Sequence, residues 1–407
     1  MKNILVIDYY FPPLLGSMVG GFKLIRFLPD LGWQPIVVSA AETVSYPKDY
    51  SLLNFLNPQI QVHRIGHKEP AKAWQFIREK LRVNYEFPDH IQTWYRPALN
   101  KAREILKTKK IDLIYSGSPS YTTAFVAMQL KKEFRVPWVA ELLDAWTTND
   151  YLHGYLQHTL IPPLYNLLNA RIRRGEKAIL DYANHIITIH PRLKQQLCND
   201  YQVSQGKVTV ITDGYCEQDF KALNPRALYP GRLNITFLGG SYWGFQEQVM
   251  PFLKNVSEIM PETEFVFIGR TSETLRSANL PNLTLISNLP QYKALDFAAG
   301  GDFLLLVTLP TAKWHTPSKL YYYLRLGKPV LALVPEDGDA AQIIKKTKTG
   351  YVLSYQPDTM RQQLKAILEN WRKGESKEFQ PDPVAVAEYE RSRLIEQTVK
   401  IFNAVSQ

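Results

Sequence analysis

The sequence predicts an α/β protein made of two successive parallel-sheet domains, each Rossmann-like, facing a cleft. Three observations carry that expectation. The chain has 407 residues, more than one compact domain usually holds. Short apolar runs alternate with helical stretches, the pattern of βαβ units and therefore of parallel sheets. The alternation halts at Asp213–Arg232, a segment rich in Asn, Pro and Gly, and then restarts. The expected division is a first domain over 1–215, a linker over 216–232, a second domain over 233–383 and a terminal helix over 384–407 that packs back across the junction.

The opening reads as strand Ile4–Ile7, a loop, helix Phe22–Leu28 and strand Pro35–Ser39. Phe22, Leu24, Ile25, Phe27 and Leu28 give that helix a continuous apolar face, and Pro29 and Gly32 end it. Ile111–Tyr115 is a strand, Ser118-Pro119 caps a helix through Phe134, and Trp138–Leu142 is the next strand. Ile186–Ile189 and Val208–Ile211 follow. The second half offers Ile235–Leu238, Phe265–Ile268, Leu283–Ile286, Phe303–Val307 and Val330–Val334. A last helix over Val384–Val405 carries Ile395, Val399 and Phe402 on one face. In parallel sheets of this kind, ligands bind beyond the carboxyl ends of the strands.

Hydrophobic residues make up 45% of the chain and charged residues 21%, which supplies packed cores and argues against disorder. No apolar run reaches the roughly 20 residues a bilayer requires. Asp8 and Pro12-Pro13 interrupt the N-terminal apolar run before it could serve as a leader, so a cytoplasmic protein is expected. Cys198 and Cys216 are the two cysteines, too few for a disulfide framework or a cysteine metal centre, and no metal is expected. The net charge of +10 suits nucleic acid, anionic lipid or phosphorylated substrates. The basic clusters Lys107–Lys110, Arg171–Lys177 and Lys345–Lys348 accompany no nucleic-acid motif, and a solvated basic surface explains them equally well. No nucleic-acid partner is expected.

Three strand-to-helix loops are candidate phosphate sites, because unpaired N–H groups at a helix start attract anions. In the first, Gly16, Gly20 and Gly21 depart from the Gly-x-Gly-x-x-Gly spacing, which disfavours a nicotinamide cofactor. These glycines either admit an anion or allow a tight turn. The second loop runs from Gly239 and Gly240 to Gly244, after the first strand of the second half. In the third, Thr316 is expected to cap a helix with Pro317 in first position and Ser318 and Lys319 in its first turn. N–H groups, a hydroxyl and an ammonium then converge, which suits a diphosphate. Tyr322 lies one turn beyond Ser318 on the same face, and His315 adjoins the helix.

Asp144 follows a strand end in the first half. There it either accepts an acceptor hydroxyl's proton or anchors a turn. His190 follows strand Ile186–Ile189 and is either a ligand contact or a satisfied structural histidine. Asp337 and Asp339 are expected to cap the following helix, and Glu141 carries no assigned role. Tyr155–Lys177 mixes apolar residues with Arg171, Arg173, Arg174 and Lys177. Such a segment lies on anionic lipid or forms an ordinary interdomain helix; Pro162-Pro163 breaks its periodicity and favours the second.

Several stretches, in order, resemble the family-4 glycosyltransferases of GT-B fold, particularly the branch that builds bacterial surface polysaccharides. They are Tyr9-Tyr10-Phe11-Pro12-Pro13 with Gly16, Phe27–Trp33, and Pro88-Asp89 with Trp94. Asp112–Tyr115 with Ser118-Pro119, and Pro137–Ala140 running to Asp144-Ala145-Trp146, continue the series. Val208–Ile211 with Asp213-Gly214-Tyr215, then Pro317–Leu320 through Gly327-Lys328-Pro329, complete it. The resemblance implies an acceptor-binding N-terminal domain, a nucleotide-sugar-binding C-terminal domain and transfer with retention. It implies a saccharide or lipid-linked acceptor, and a leaving diphosphate neutralised without metal by helix N-termini and by Lys319 and Arg270.

The chain departs from this family in three places. Trp314 and Tyr322 stand where the family usually carries the Glu-x7-Glu pair, and Leu143 stands where it carries Arg. The loop Gly240–Gln246 lacks the usual basic residue. A nucleotide-sugar epimerase of the same fold and a non-catalytic sugar-nucleotide-binding partner are the alternatives.

Overall fold

The computed structural model describes residues 1–14, 20–68, 77, 80–81, 87–117, 120–144, 146–240, 244–270, 273–277, 280–287, 289–374 and 379–407. The chain forms two compact units, Met1–Thr212 with Ile395–Gln407, and Asp213–Leu394. The expected linker 216–232 falls inside the second unit and carries the short 3-10 turn Glu217–Phe220.

The first unit is built on β1 (Lys2–Ile7), β2 (Trp33–Ala40), β3 (Gln61–Ile65), β4 (Leu113–Ser116), β5 (Trp138–Leu142), β6 (His185–Thr188) and β7 (Val208–Val210). They pair in parallel in the order β3-β2-β1-β4-β5-β6-β7. The second unit has β8 (Asn234–Leu238), β9 (Glu264–Ile268), β10 (Leu283–Ile286), β11 (Phe303–Val307), β12 (Val330–Leu333) and β13 (Gly350–Val352). Their order is β10-β9-β8-β11-β12-β13, again parallel. Each sheet reverses its winding once, between β1 and β4 and between β8 and β11. A crevice opens at such a reversal beyond the carboxyl ends of the two strands.

Both faces of the second sheet are covered, as parallel sheets require. Leu304 and Leu306 of β11 pack into one core, whereas Phe303, Leu305 and Val307 pack into the other. The first core includes Leu320, Tyr321 and Leu324 of helix Lys319–Leu326, and the second includes Phe245, Phe252 and Leu253 of helix Phe245–Ile259.

Several local expectations are corrected. Helix Gly20–Ile25 is shorter than the apolar pattern suggests. After it the chain tightens through Phe27 and Leu28 into the 3-10 turn Pro29–Leu31, closed by Gly32 at φ 84°. The run 384–405 is not one helix. Asp382 caps Pro383–Ala387 with its side chain, and Arg391–Val405 begins only after a break. The break is held by Tyr215, whose N–H donates to the Tyr389 carbonyl at 3.1 Å and whose carbonyl accepts from Arg391 at 2.8 Å. Arg391 also forms a buried ion pair with Asp213. Beyond the break Ile395, Val399 and Phe402 are buried, with Phe402 edge-on to Trp33 at 5.8 Å and to Tyr115 at 5.6 Å.

Pro162-Pro163 does not interrupt a helix. It starts one, Pro162–Tyr182, after the separate helix Asp150–Thr159. Among the described residues no helix is long and apolar enough to cross a membrane.

Candidate functional site

In the second unit the carboxyl ends of β8, β9 and β11 converge around glycines. Gly239 (φ 117°) ends β8 and Gly269 (φ 138°) ends β9, both in backbone conformations that favour glycine. A Cβ on Gly269 would lie 2.3 Å from the Gly239 carbonyl oxygen, so a side chain there would force the two loops apart. Gly240 faces the backbone of Arg270, whose own side chain is exposed.

Lys319 opens the helix that follows β11. Its ammonium lies 3.8 Å from the centroid of the Phe237 ring, and a Cβ on Gly239 would come within 2.8 Å of it. Burial pushes its pKa down to about 7. His315 is held neutral, its pKa pushed down to about 3 by burial and by the charge of Lys319. The cap differs from expectation. Ser318 is the N-cap residue, with helical backbone angles and no side-chain cap bond, while Thr316 and Pro317 precede the helix. The first turn closes instead through Leu320 N–H to Pro317 O and Tyr321 N–H to Ser318 O.

Tyr322, one turn on, directs its hydroxyl to Asp219 Oδ2 at 3.3 Å, with Gln291 Nε2 3.2 Å away. Trp314 is buried beside His315. Asp337 pairs with Lys313, and the N-cap position of helix Asp339–Thr347 is held by Gly338, between Asp337 and Asp339.

In the first unit Gly16 lies outside the described residues, as do Ser118 and Pro119. Gly21 is described, and what faces it is a carboxyl group of the chain itself. A Cβ there would lie 2.6 Å from Asp8 Oδ2, and one on Gly117 would lie 3.3 Å from the same atom. Asp8 therefore fills the point between β1 and β4 where the winding reverses. Burial pushes its pKa up to about 7 against the pull of the Tyr10 N–H and of Arg64.

Asp144 is half-buried beyond β5, and burial alone pushes its pKa up to about 6. Its loop is fixed by neighbours. The Tyr121 hydroxyl donates to the Asp144 carbonyl at 2.8 Å, and the Tyr121 ring stacks on Trp146 at 4.0 Å. Buried Glu176 accepts from the N–H groups of Trp146 (3.1 Å) and Thr147 (3.3 Å). His190 is buried at the start of helix Pro191–Tyr201, where its carbonyl accepts from Lys194.

Sequence reasoning missed Asp8, Asp219 and Gln291. It also missed the task of Asp89, whose carboxylate accepts from the Thr122 N–H (2.9 Å), the Thr122 hydroxyl (2.6 Å) and Ser120 Oγ (2.9 Å). Asp89 thus caps helix Tyr121–Phe134 from about thirty residues upstream, a pairing no local pattern reveals. Among the described residues no group of three or more His, Cys, Asp or Glu is placed to hold a metal ion.

Residues 22–215 match the model of Glycosyltransferase Family 4. No curated protein sequence matches the chain. Among solved structures it is similar to sucrose-phosphate synthase from Thermosynechococcus elongatus, with TM-score 0.69 and 13% identity over 100% of this chain and 99% of that one. It is similar to Anabaena HepE in complex with UDP and glucose, with TM-score 0.67 and 12% identity over 99% and 100%. It is also similar to a putative UDP-N-acetylglucosamine 2-epimerase from Listeria monocytogenes, with TM-score 0.58 and 12% identity over 98% and 94%. The chain has the GT-B fold, and the larger part of its first unit carries the match to Glycosyltransferase Family 4.

Proposed function

We propose that the protein is a glycosyltransferase that moves a sugar from a nucleotide-diphosphate donor to a saccharide or lipid-linked acceptor. The observation that carries this reading is Lys319, whose ammonium lies against Gly239 at the carboxyl end of β8. Beside it are the Gly240 and Arg270 loops and the start of a helix, a setting suited to a diphosphate and to its growing charge as the sugar leaves. The first unit contrasts with it. At the corresponding reversal it offers the Asp8 carboxyl, which repels phosphate when ionised, and Asp144 lies at a neighbouring strand end. Such a surface suits an uncharged, hydroxyl-bearing acceptor. With its pKa near 6, Asp144 is matched to taking a proton from, or hydrogen-bonding, an acceptor hydroxyl near neutral pH.

The family match over 22–215 and the likeness to a structure holding UDP and glucose support the same reading. It extends to retention of anomeric configuration, catalysis without a metal, and a place in cell-envelope or extracellular polysaccharide synthesis at the cytoplasmic face of a membrane. Tyr155 on helix Asp150–Thr159, Ile161 at the cap of helix Pro162–Tyr182, and Leu167 and Arg174 on that helix are exposed, which suits reversible contact with anionic lipid.

Epimerisation of a nucleotide sugar is the second reading, favoured by the fold likeness to the Listeria protein. One experiment separates the readings. A thermal-shift screen across nucleoside diphosphates and their sugars identifies the donor, since a ligand at one hundred times its Kd adds about 2.7 kcal/mol. Incubation with that donor and candidate acceptors then gives glycosylated acceptor if the proposal holds. An epimerised donor supports the second reading, binding without turnover identifies a non-catalytic partner, and no binding at all overturns the proposal.

A further inference from the structure

The second unit holds a cavity of about 470 Å³ lined by none of the residues that surround Lys319 and Gly239. It lies between helix Gln291–Gly300, which follows β10, and residues 224–226, which precede β8. Leu289 and Phe297 line it and pack against the buried core that includes Leu295 and Ala298, so the apolar part of the lining is anchored. The two segments are also tied to each other. Asp296 Oδ1 accepts from the Asn224 N–H at 2.8 Å, and the Asp296 carbonyl accepts from the Arg226 N–H at 2.8 Å. A Cβ on Gly300 would lie 2.2 Å from the Arg226 carbonyl oxygen, so glycine lets the chain lie flat on the end of the helix. The concavity is therefore set by the fold before a ligand arrives, which lowers the cost of binding.

The rest of the lining is polar and charged. Tyr292 is 51% exposed, a large ring left in contact with water. The Lys293 ammonium lies 6.0 Å from the centroid of that ring, and Arg226 is exposed on the opposite segment. Arg226 and Lys293 are set against the single carboxylate of Asp296, so the lining carries an excess of positive charge. The volume falls in the range of about 300–1,000 Å³ typical of small-molecule sites.

We infer that this cavity binds an anionic saccharide, a sugar chain bearing carboxylates, at a site distinct from that at Lys319. The inference goes beyond the proposed transfer reaction and does not depend on it: the site holds a saccharide without reacting with it. The chemistry is complementary in three respects. A pyranose has a face of C–H bonds that packs on an aromatic ring, and Tyr292 offers one. Sugar hydroxyls both donate and accept. The Asn224 amide does the same, and the Asp296 carboxylate has acceptor positions beyond the one that the Asn224 N–H fills. A carboxylate on the sugar pairs with the planar guanidinium of Arg226, with Lys293 adding charge. An acidic peptide would satisfy the cations but has no C–H face to set on Tyr292, and it would leave Asp296 opposed to like charge.

The test titrates the full chain calorimetrically, at low salt, with trigalacturonate, with the neutral trisaccharide maltotriose and with the peptide triglutamate. Wild type is expected to bind trigalacturonate about tenfold tighter than either of the others. Tyr292→Ala and Arg226→Gln, both at exposed positions, are each expected to weaken trigalacturonate about threefold to tenfold, and Tyr292→Phe, which keeps the ring, to weaken it less than about twofold. Lys254→Gln, an exposed change on helix Phe245–Ile259 that removes the same charge, is expected to leave the affinity unchanged. Wild type that fails to bind trigalacturonate overturns the inference. So does an affinity untouched by Tyr292→Ala and Arg226→Gln, which would place the saccharide elsewhere on the chain. A loss in Lys254→Gln equal to that in Arg226→Gln would reduce the binding to general charge, and triglutamate bound as tightly as trigalacturonate would make the site one for acidic peptide. None of these results bears on diphosphate binding at Lys319, so the transferase reading stands or falls separately.

Discussion

The ammonium of Lys319 lies 3.8 Å from the centroid of the Phe237 ring, although the two residues belong to opposite faces of the second sheet. Helix Lys319–Leu326 covers one face with Leu320 and Leu324, and Phe237 packs into the core on the other. The lysine therefore reaches over the end of β8, and Gly239, which has no Cβ, leaves the room. A cation so placed is shielded from water and tends to lose its proton, which is why its pKa sits near 7.

Binding of a diphosphate should restore that proton. At about pH 8 the free lysine is largely neutral, whereas beside two phosphates it is charged, so binding takes up a proton. Calorimetry in buffers of different ionisation enthalpy should register uptake approaching one proton at about pH 8 and little at about pH 5.5. Affinity should fall as pH rises through 7 and beyond. Uptake that persists unchanged in Lys319→Met would place the titrating group elsewhere.

Asp8 makes a stability prediction of definite sign. Its folded pKa of about 7 lies above the ordinary 3.8, so the folded state holds the proton more tightly than the unfolded state. Stability contributed by this group is present at low pH and falls as pH rises from about 4 to about 7, by roughly 4 kcal/mol at most. Asp8→Asn should flatten that slope in urea unfolding followed across this range. An unaltered slope would mean that Asp8 is not the group responsible.

Phe402 is fully buried between Trp33 and Tyr115, so the last helix is part of the first unit's core. Phe402→Ala should cost about 3–5 kcal/mol in unfolding of that unit. A loss below about 1 kcal/mol would show that the C-terminal helix is dispensable to it.

The legible parts of the fold were those whose residues report their own surroundings. Central strands such as Phe303–Val307 are buried on both faces and read as unbroken apolar runs. The edge strands Gln61–Ile65 and Gly350–Val352 are only partly buried, carry mixed residues, and did not stand out. The candidate site was legible as a grouping only where its residues are chain neighbours, as at Lys319 with Pro317 and Ser318. It was not legible where distant residues meet. Asp219 reaches Tyr322 across 103 positions, and Asp213 reaches Arg391 across 178. Parts of the family resemblance prove to be scaffold: Asp112 accepts from the Asn3 N–H, Asp89 caps a helix, and Asp213 secures Arg391.

Packing decides which residues of helix Pro162–Tyr182 can be changed to test contact with anionic lipid. Arg171 lies over the Phe87 ring at 4.5 Å and Arg173 over Tyr201 at 5.6 Å, so changing either also perturbs the fold. The cleaner variant combines Ile161→Ser, Leu167→Ser and Arg174→Glu, all at exposed positions. It should release the protein from vesicles rich in anionic lipid, most clearly at low salt, where screening is weakest. Co-sedimentation equal to wild type would remove this surface from the account.

The most direct measurement of the central claim compares Lys319→Ala with wild type in binding a nucleoside diphosphate and the matching free nucleoside. Charge-assisted hydrogen bonds are worth roughly 1.5–3 kcal/mol, so diphosphate affinity should fall by about 10- to 150-fold. Nucleoside affinity should barely change, because the nucleoside carries no phosphate and alanine is well tolerated at a helix start. Equal losses for both ligands, or no loss for either, would contradict the assignment of Lys319 to the donor diphosphate.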